Sequence, residues 1–161
     1  MTAPTRVTLK IGSRVFAQWT QLSIVRDLHE ISGAFELRLL DPGRLPNASV
    51  PPIQCGQVCT LALDGEAVLI GRVEETDIAE AGAALEMCVR GRDHTGNLVD
   101  CAAAPNGPAE YKGLTLTQIA AAICRPFGIK VAADVDVGAP FARFSIQPHQ
   151  TALAAIESAA R

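Results

Sequence analysis

No run of apolar residues in this chain approaches the roughly 18 needed for a membrane-spanning helix, so nothing in it predicts insertion into a bilayer. Clusters of Lys or Arg are missing too. With 14 Lys and Arg against 17 Asp and Glu, and a net charge of −3, the chain has no basic stripe with which to grip a phosphate backbone. The residues from Met1 to Lys10 alternate polar and apolar instead of placing a basic segment before an apolar one, so no signal peptide is read there. Neither the dinucleotide loop GxGxxG nor the phosphate loop GxxxxGK is present, and no cofactor is expected. The five cysteines, Cys55, Cys59, Cys88, Cys101 and Cys124, are odd in number and show neither a paired CxxC nor a histidine at zinc-finger spacing. Free buried thiols in a reducing cytosol follow, not a disulfide framework or a metal site.

What is present is a globular composition, 48% apolar and 19% charged over 161 residues, enough for one domain or two small ones without a metal or disulfide. From about Val7 to Arg92 apolar residues recur at every second position between turn signals, the pattern of short strands with one buried face. Val7, Leu9 and Ile11 alternate before Gly12-Ser13, and Phe35, Leu37 and Leu39 oppose Glu36 and Arg38. Asp41-Pro42-Gly43 with Pro46, Pro51 and Pro52 predicts a connecting loop, because proline cannot donate to a ladder. Asp64-Gly65 predicts a two-residue hairpin. A strand from Gly71 to Ile78, a turn at Ala81-Gly82 and a strand through Leu85, Met87 and Val89 complete six or seven strands, which predicts an antiparallel β-barrel or sandwich.

After Cys101 the composition changes. The breakers in Ala102-Ala103-Ala104-Pro105-Asn106-Gly107-Pro108 predict a boundary, giving a β-barrel over residues 1–104, a linker over 105–112 and a small, incomplete α/β domain over 113–161. Leu116, Ile119, Ala120, Ile123, Cys124 and Phe127 share a helix face, capped by Thr115 with Gln118 and closed by Gly128. Ile129, Val131 and Val135 predict one strand and Phe144 to Ile146 another. Thr151 caps a second helix whose Leu153, Ile156 and Ala160 fall on one side.

Few residues carry chemistry. His94 beside Asp93, with Asp100 and Cys101 nearby, has the ingredients of a thiol nucleophile and its base, yet a short polar turn explains them better. Glu74, Glu75, Asp77 and Glu80 offer carboxylates for a cell-wall hydrolase. On a regular strand, however, Glu75 and Asp77 point to one side and Glu74 and Thr76 to the other, as a solvated sheet face requires. His29 and His149 stand alone. Arg90 and Arg92 share a face and, with Arg72, are read as members of a salt-bridged surface. No catalytic, cofactor or metal residue is assigned.

The stretch Val89-Arg90-Gly91-Arg92-Asp93-His94-Thr95-Gly96-Asn97-Leu98-Val99-Asp100-Cys101 resembles a signature of Mu-like phage baseplate hub proteins, a GR followed after a short spacer by LVDC. Gly91, Arg92, Leu98, Val99, Asp100 and Cys101 are the positions that carry it. Val7 to Trp19, Ile24 to Leu28 with Gly33 to Leu37, Gly56-Gln57-Val58 with Gly71-Arg72-Val73, and the segments from Leu114 to Ile129 and Phe144 to Pro148 are similar to the same family in the same order. The resemblance implies a structural subunit without enzymatic activity, made in the host bacterial cytoplasm and built into the tail baseplate of a contractile-tail phage or prophage. It implies a homotrimeric ring that joins the tail tube to the central spike and surrounds a lumen crossed by DNA without specific binding. Family members are about twice this long and add a second barrel. A tail-associated hydrolase, or the hub part of a type VI secretion or tailocin spike, are the alternatives.

Overall fold

In this computed structural model, residues 6–27, 29–40, 53–81, 84–104 and 107–161 are described. The expected proline-rich loop from Asp41 to Pro52, the Gly82 turn and the Pro105-Asn106 break lie outside them. The chain divides into two compact units, Met1–His94 and Thr95–Arg161. The division thus falls ten residues before the end of the barrel expected from composition.

The first unit is one antiparallel sheet curled into a half-barrel. Its strands are β1 (Val7–Ile11), β2 (Arg14–Phe16), β3 (Gln21–Val25), β4 (Ala34–Leu40), β5 (Val58–Leu63), β6 (Glu66–Ala81) and β7 (Ala84–Asp93), in the order β2-β1-β5-β6-β7-β4-β3. Alternation sets the faces. Val7 and Leu9, Phe35, Leu37 and Leu39, Cys59 and Leu61, Leu69 and Val73, and Met87 and Val89 are all buried, while their strand neighbours point the other way. Directly opposed residues share a face, so Leu37 against Val89 and Leu9 against Leu61 join one apolar layer. Each such side chain, fully buried, stabilises the unit by about 1.5–3 kcal/mol.

The hairpin at Asp64-Gly65 takes the two-residue form expected. Both residues have positive φ, 50° and 92°, the type I′ geometry whose twist matches the strands it joins. Where the sequence predicts a strand that begins at Gly71, β6 runs unbroken from Glu66 through Gly71. That glycine serves close approach instead of a strand start, since a Cβ there would collide with the Arg92 carbonyl oxygen on β7.

The second unit contains α1 (Gly96–Asp100), β8 (Glu110–Tyr111), α2 (Leu116–Cys124), a 3-10 turn at Arg125–Phe127, β9 (Phe144–Ser145) and α3 (Ala152–Ala160). Its core gathers Leu98, Ala103, Tyr111, Ile119, Ile123, Cys124, Ala152 and Ala155. Thr115 and Gln118 form a reciprocal capping box on α2, and Gly128, at φ 71°, ends the 3-10 turn that Pro126 opens. The stretch expected as a linker holds β8, which pairs with β9 and buries Tyr111. No strand forms at Ile129, Val131 and Val135: the first two lean on the core without a partner strand, and Val135 is 75% exposed. On α3 the fully buried stripe is Ala152, Ala155 and Ala159, with Leu153 and Ile156 only half-buried and Ala160 exposed. Small residues, not the large ones, face inward because α2 and α1 both pack closely on this helix.

Candidate functional site

On the polar face of the sheet, three neighbouring strands bring charged residues into register. Glu36 of β4 lies opposite Arg90 of β7, and Arg90 lies opposite Glu75 of β6. Arg90 therefore has a carboxylate on either side. Its Nε donates to Glu36 Oε2 at 3.0 Å, and its Nη1 reaches Glu75 Oε2 and Asp77 Oδ2, each at 3.0 Å. Arg38 pairs with Glu36 at 3.0 Å and, at 3.7 Å, with Glu86. Hydrogen bonds from Arg90, then from Arg38, hold the Glu36 carboxyl below its ordinary range, and the bonds that Arg90 donates to Glu36 and Glu75 push its guanidinium further up.

The Glu74 position departs from regular alternation. Val73 opposes Gly91 and Glu75 opposes Arg90, so Glu74 has no ladder partner and is the extra residue of a β-bulge. The bulge turns Glu74 to the same face as Glu75, where it binds Arg92 Nη2 at 2.8 Å and Arg92 Nε at 2.9 Å. This corrects the expectation that Glu74 and Glu75 diverge. Arg92 also lies opposite Arg72, a like-charged pair that destabilises a sheet unless neutralised. Glu74 on one guanidinium and the Gly56 carbonyl on the other, at 2.8 Å from Arg72 Nη1, relieve it. Ser23, Glu36, Glu74, Glu75, Arg90 and Arg92 border a shallow cavity of about 360 Å³.

The string from Gly91 to Cys101 is divided between the two units. Gly91 allows Phe35 to lie beneath β7, since a Cβ there would stand 2.6 Å from the Phe35 ring. Asp93 accepts from the Gly33 amide at 2.9 Å and the Ser32 hydroxyl at 3.3 Å, which fixes the turn that leads into β4. In the second unit Leu98 is buried, and the Cys101 carbonyl accepts from Ala152 N at 2.9 Å, tying the string to the start of α3. Val99 and Asp100 are exposed.

The hydrolase candidates are drawn into other duties. Glu75 and Asp77 both contact Arg90, and Asp93 is engaged by the 32–33 turn. His94 donates its backbone amide to Ile70 O at 3.1 Å as the sheet ends. His29 and His149 are exposed, and the Glu80 side chain lies outside the description. Cys59 is buried and its thiol is pushed up to about 11 by desolvation, so it is no nucleophile at neutral pH. Contrary to the expectation of uniformly buried thiols, Cys55 is exposed and Cys101 half-buried. Among the described residues no group of His, Cys, Asp and Glu is arranged to hold a metal, and no helix is long and apolar enough to cross a membrane.

An open antiparallel half-barrel with an ion-paired polar face, followed by a small helical unit, places the molecule among phage tail proteins that share this architecture. The profile of the Mu phage baseplate assembly protein GpP-like N-terminal domain matches residues 6–93, and that of the baseplate hub protein gp44-like second domain matches residues 95–161. The chain belongs to the Mu-type baseplate hub family. It is 32% identical over 158 residues to the baseplate hub protein gp44 of Escherichia phage Mu, spanning 96% of this chain and 41% of that protein. Among solved structures it resembles the 43 kDa tail protein of prophage MuSo2 from Shewanella oneidensis, with a TM-score of 0.87 and 34% identity over 99% of this chain and 50% of the other. The tail protein of Neisseria meningitidis MC58 shares the fold, with a TM-score of 0.78 at 22% identity over 98% of this chain and 45% of that one. The chain spans about half the length of these relatives or less.

Proposed function

We propose that this chain forms the front part of a structural subunit of a tail baseplate hub, in a phage or prophage with a contractile tail. The observation that carries the reading is the continuous match across both units, in family order, to hub and tail proteins over nearly the whole chain. In this reading three copies of the full-length protein close a ring that joins the tail tube to the central spike, and DNA crosses the lumen at ejection. The role is architectural and needs no catalytic group. Absolute mass by light scattering after size exclusion, on this chain and on a version extended to the gene's natural end, tests it. A trimer in the extended form supports the hub, and monomers in both overturn it.

A second reading, the hub part of a type VI secretion spike, draws on one further likeness of fold. The E. coli c3393 protein, described as a type VI secretion component structurally similar to T4 tail proteins gp27 and gp5, aligns over 94% of this chain with a TM-score of 0.55 at 13% identity. Neighbouring genes for capsid proteins favour the phage reading, and secretion-sheath genes without a capsid favour this one.

A further inference from the structure

A cavity of about 440 Å³ lies within the second unit, bordered by Ala103, Pro108, Tyr111, Ala122, Arg125 and Pro126. That volume falls in the usual range of a small-ligand site, roughly 300–1,000 Å³. Its walls are methyl groups and proline rings, and among the described residues only Tyr111 and Arg125 bring polar side chains to it. Both are uncommitted. Tyr111 is only 8% exposed, yet its hydroxyl has no hydrogen-bond partner among the described residues, where a buried phenol normally finds one. Unlike Trp19 Nε1 it is not sealed off, and it opens on the cavity. Burial pushes the phenol up while the Arg125 charge draws it back, so it stays protonated at neutral pH and can both donate and accept. Arg125 is exposed at the rim, and its guanidinium forms no ion pair among the described residues. Arg143 and Arg161 of the same unit, by contrast, pair with Glu110 and Glu157.

These groups select the occupant. A free guanidinium fork calls for a carboxylate or a phosphate. Phosphate would bring more charge than one arginine matches and would gain nothing from apolar walls. An Asp or Glu side chain carries too short an apolar stem to fill them. A plain aliphatic acid fills the walls but brings one polar group to a site that has two. The last residue of a polypeptide has all three parts: a carboxylate for Arg125, an amide N–H for the phenol oxygen of Tyr111 and, when that residue is apolar, a side chain for the alanines and prolines.

We propose that this cavity receives the C-terminal residue of another polypeptide, an apolar one, with its carboxylate on Arg125 and its amide on Tyr111. The inference uses the second unit alone and stands apart from the hub reading. The test titrates the full-length protein with N-acetyl-leucine, which reproduces such a chain end, and follows binding by ligand-observed NMR. Wild type is expected to bind it, and to bind N-acetyl-leucinamide, which lacks the charge, at least about tenfold more weakly, as the loss of a charged hydrogen bond requires. Arg125→Gln is expected to weaken N-acetyl-leucine by the same factor, and Tyr111→Phe by about fivefold. The acid 4-methylpentanoate keeps the carboxylate and side chain without the amide. It is expected to bind wild type about fivefold more weakly than N-acetyl-leucine does, and to be indifferent to Tyr111→Phe. If Tyr111→Phe does not fold, Arg125→Gln carries the test together with the amide comparison, since Arg125 is exposed. No binding by wild type, or binding that neither substitution weakens, overturns the inference. So does equal binding of 4-methylpentanoate and N-acetyl-leucine, which would make the cavity a site for a free aliphatic acid.

Discussion

The two units place their small residues at different kinds of contact. In the sheet, Gly71 and Gly91 lie where backbone or an aromatic ring crosses the strand too closely for any Cβ, and the core around them is made of large side chains such as Phe35, Leu37 and Met87. In the second unit alanines are themselves the core: Ala120 on α2 and Ala152, Ala155 and Ala159 on α3 are buried. A sheet tolerates small residues as exceptions that permit a fit, whereas short helices use them as the surface along which they pack. The first unit should therefore fail when a glycine is enlarged, and the second when one of its few large residues is reduced.

The chain carries one Trp and one Tyr, Trp19 packed against the sheet core and Tyr111 in the second core, so each unit has its own fluorescent or absorbance reporter. Gly91→Val should have the largest effect, about 3 kcal/mol or more, because it overpacks Phe35 and the neighbouring strand. Denaturant titration should show the Trp19 transition moving and the Tyr111 transition staying; equal movement of both would mean that the units unfold as one. Ile119→Ala should do the opposite, lowering the Tyr111 transition by about 2–5 kcal/mol through an unfilled cavity. Thr115→Ala, which removes the hydroxyl half of the capping box on α2, should cost the same unit about 1 kcal/mol.

Smaller still are the acid limbs. Glu36 has its carboxyl lowered by Arg90 and Arg38, and Glu110 has its own lowered chiefly by Lys112 and further by Arg143. Each contributes stability that is present above the ordinary Glu range, about 4.3, and lost as pH falls through the lowered folded value. Glu36→Gln should flatten the acid limb seen by Trp19 and leave that seen by Tyr111, while Glu110→Gln should do the reverse. Thiol labelling at neutral pH gives the mildest probe: Cys55 should react at once, and Cys59 only at the rate at which the sheet opens.

Local signals in the sequence were sufficient for much of this architecture. Asp64-Gly65 announces its hairpin because only a few residues accept positive φ, and the alternation of Phe35, Leu37 and Leu39 gives both faces of β4. Thr115 and Gln118 mark the start of α2, and the family resemblance read along the chain agrees with the matches over both units. What was illegible depends on pairing between distant segments. Nothing near Glu74 shows that β7 supplies one residue fewer than β6 across that stretch, so the bulge, and with it the gathering of Glu74 and Glu75 on one face, is visible only in the sheet. Gly71 reads as the start of a strand until Arg92 is seen beside it. Helix α1, at five residues, and the two-residue strands β8 and β9 are too short to establish any period.

The bulge also makes Glu74 a residue that β6 does not need for its pairing with β7. From Val73 to Ile78 the strand spans six residues against the five from Gly91 to Met87, as though a letter had been inserted and the reading frame restored within the same word. Deleting Glu74 would leave Glu75 opposite Arg90 and Asp77 opposite Cys88, at the loss of the contact with Arg92 and of the carbonyl that accepts from the Cys55 thiol. Deleting Thr76 instead would shift every later residue by one place and turn Asp77 toward the layer occupied by Val89. Along its pairing with β7, length variation in this strand is thus tolerable at the bulge, and the position of the bulge is set by the partner strand.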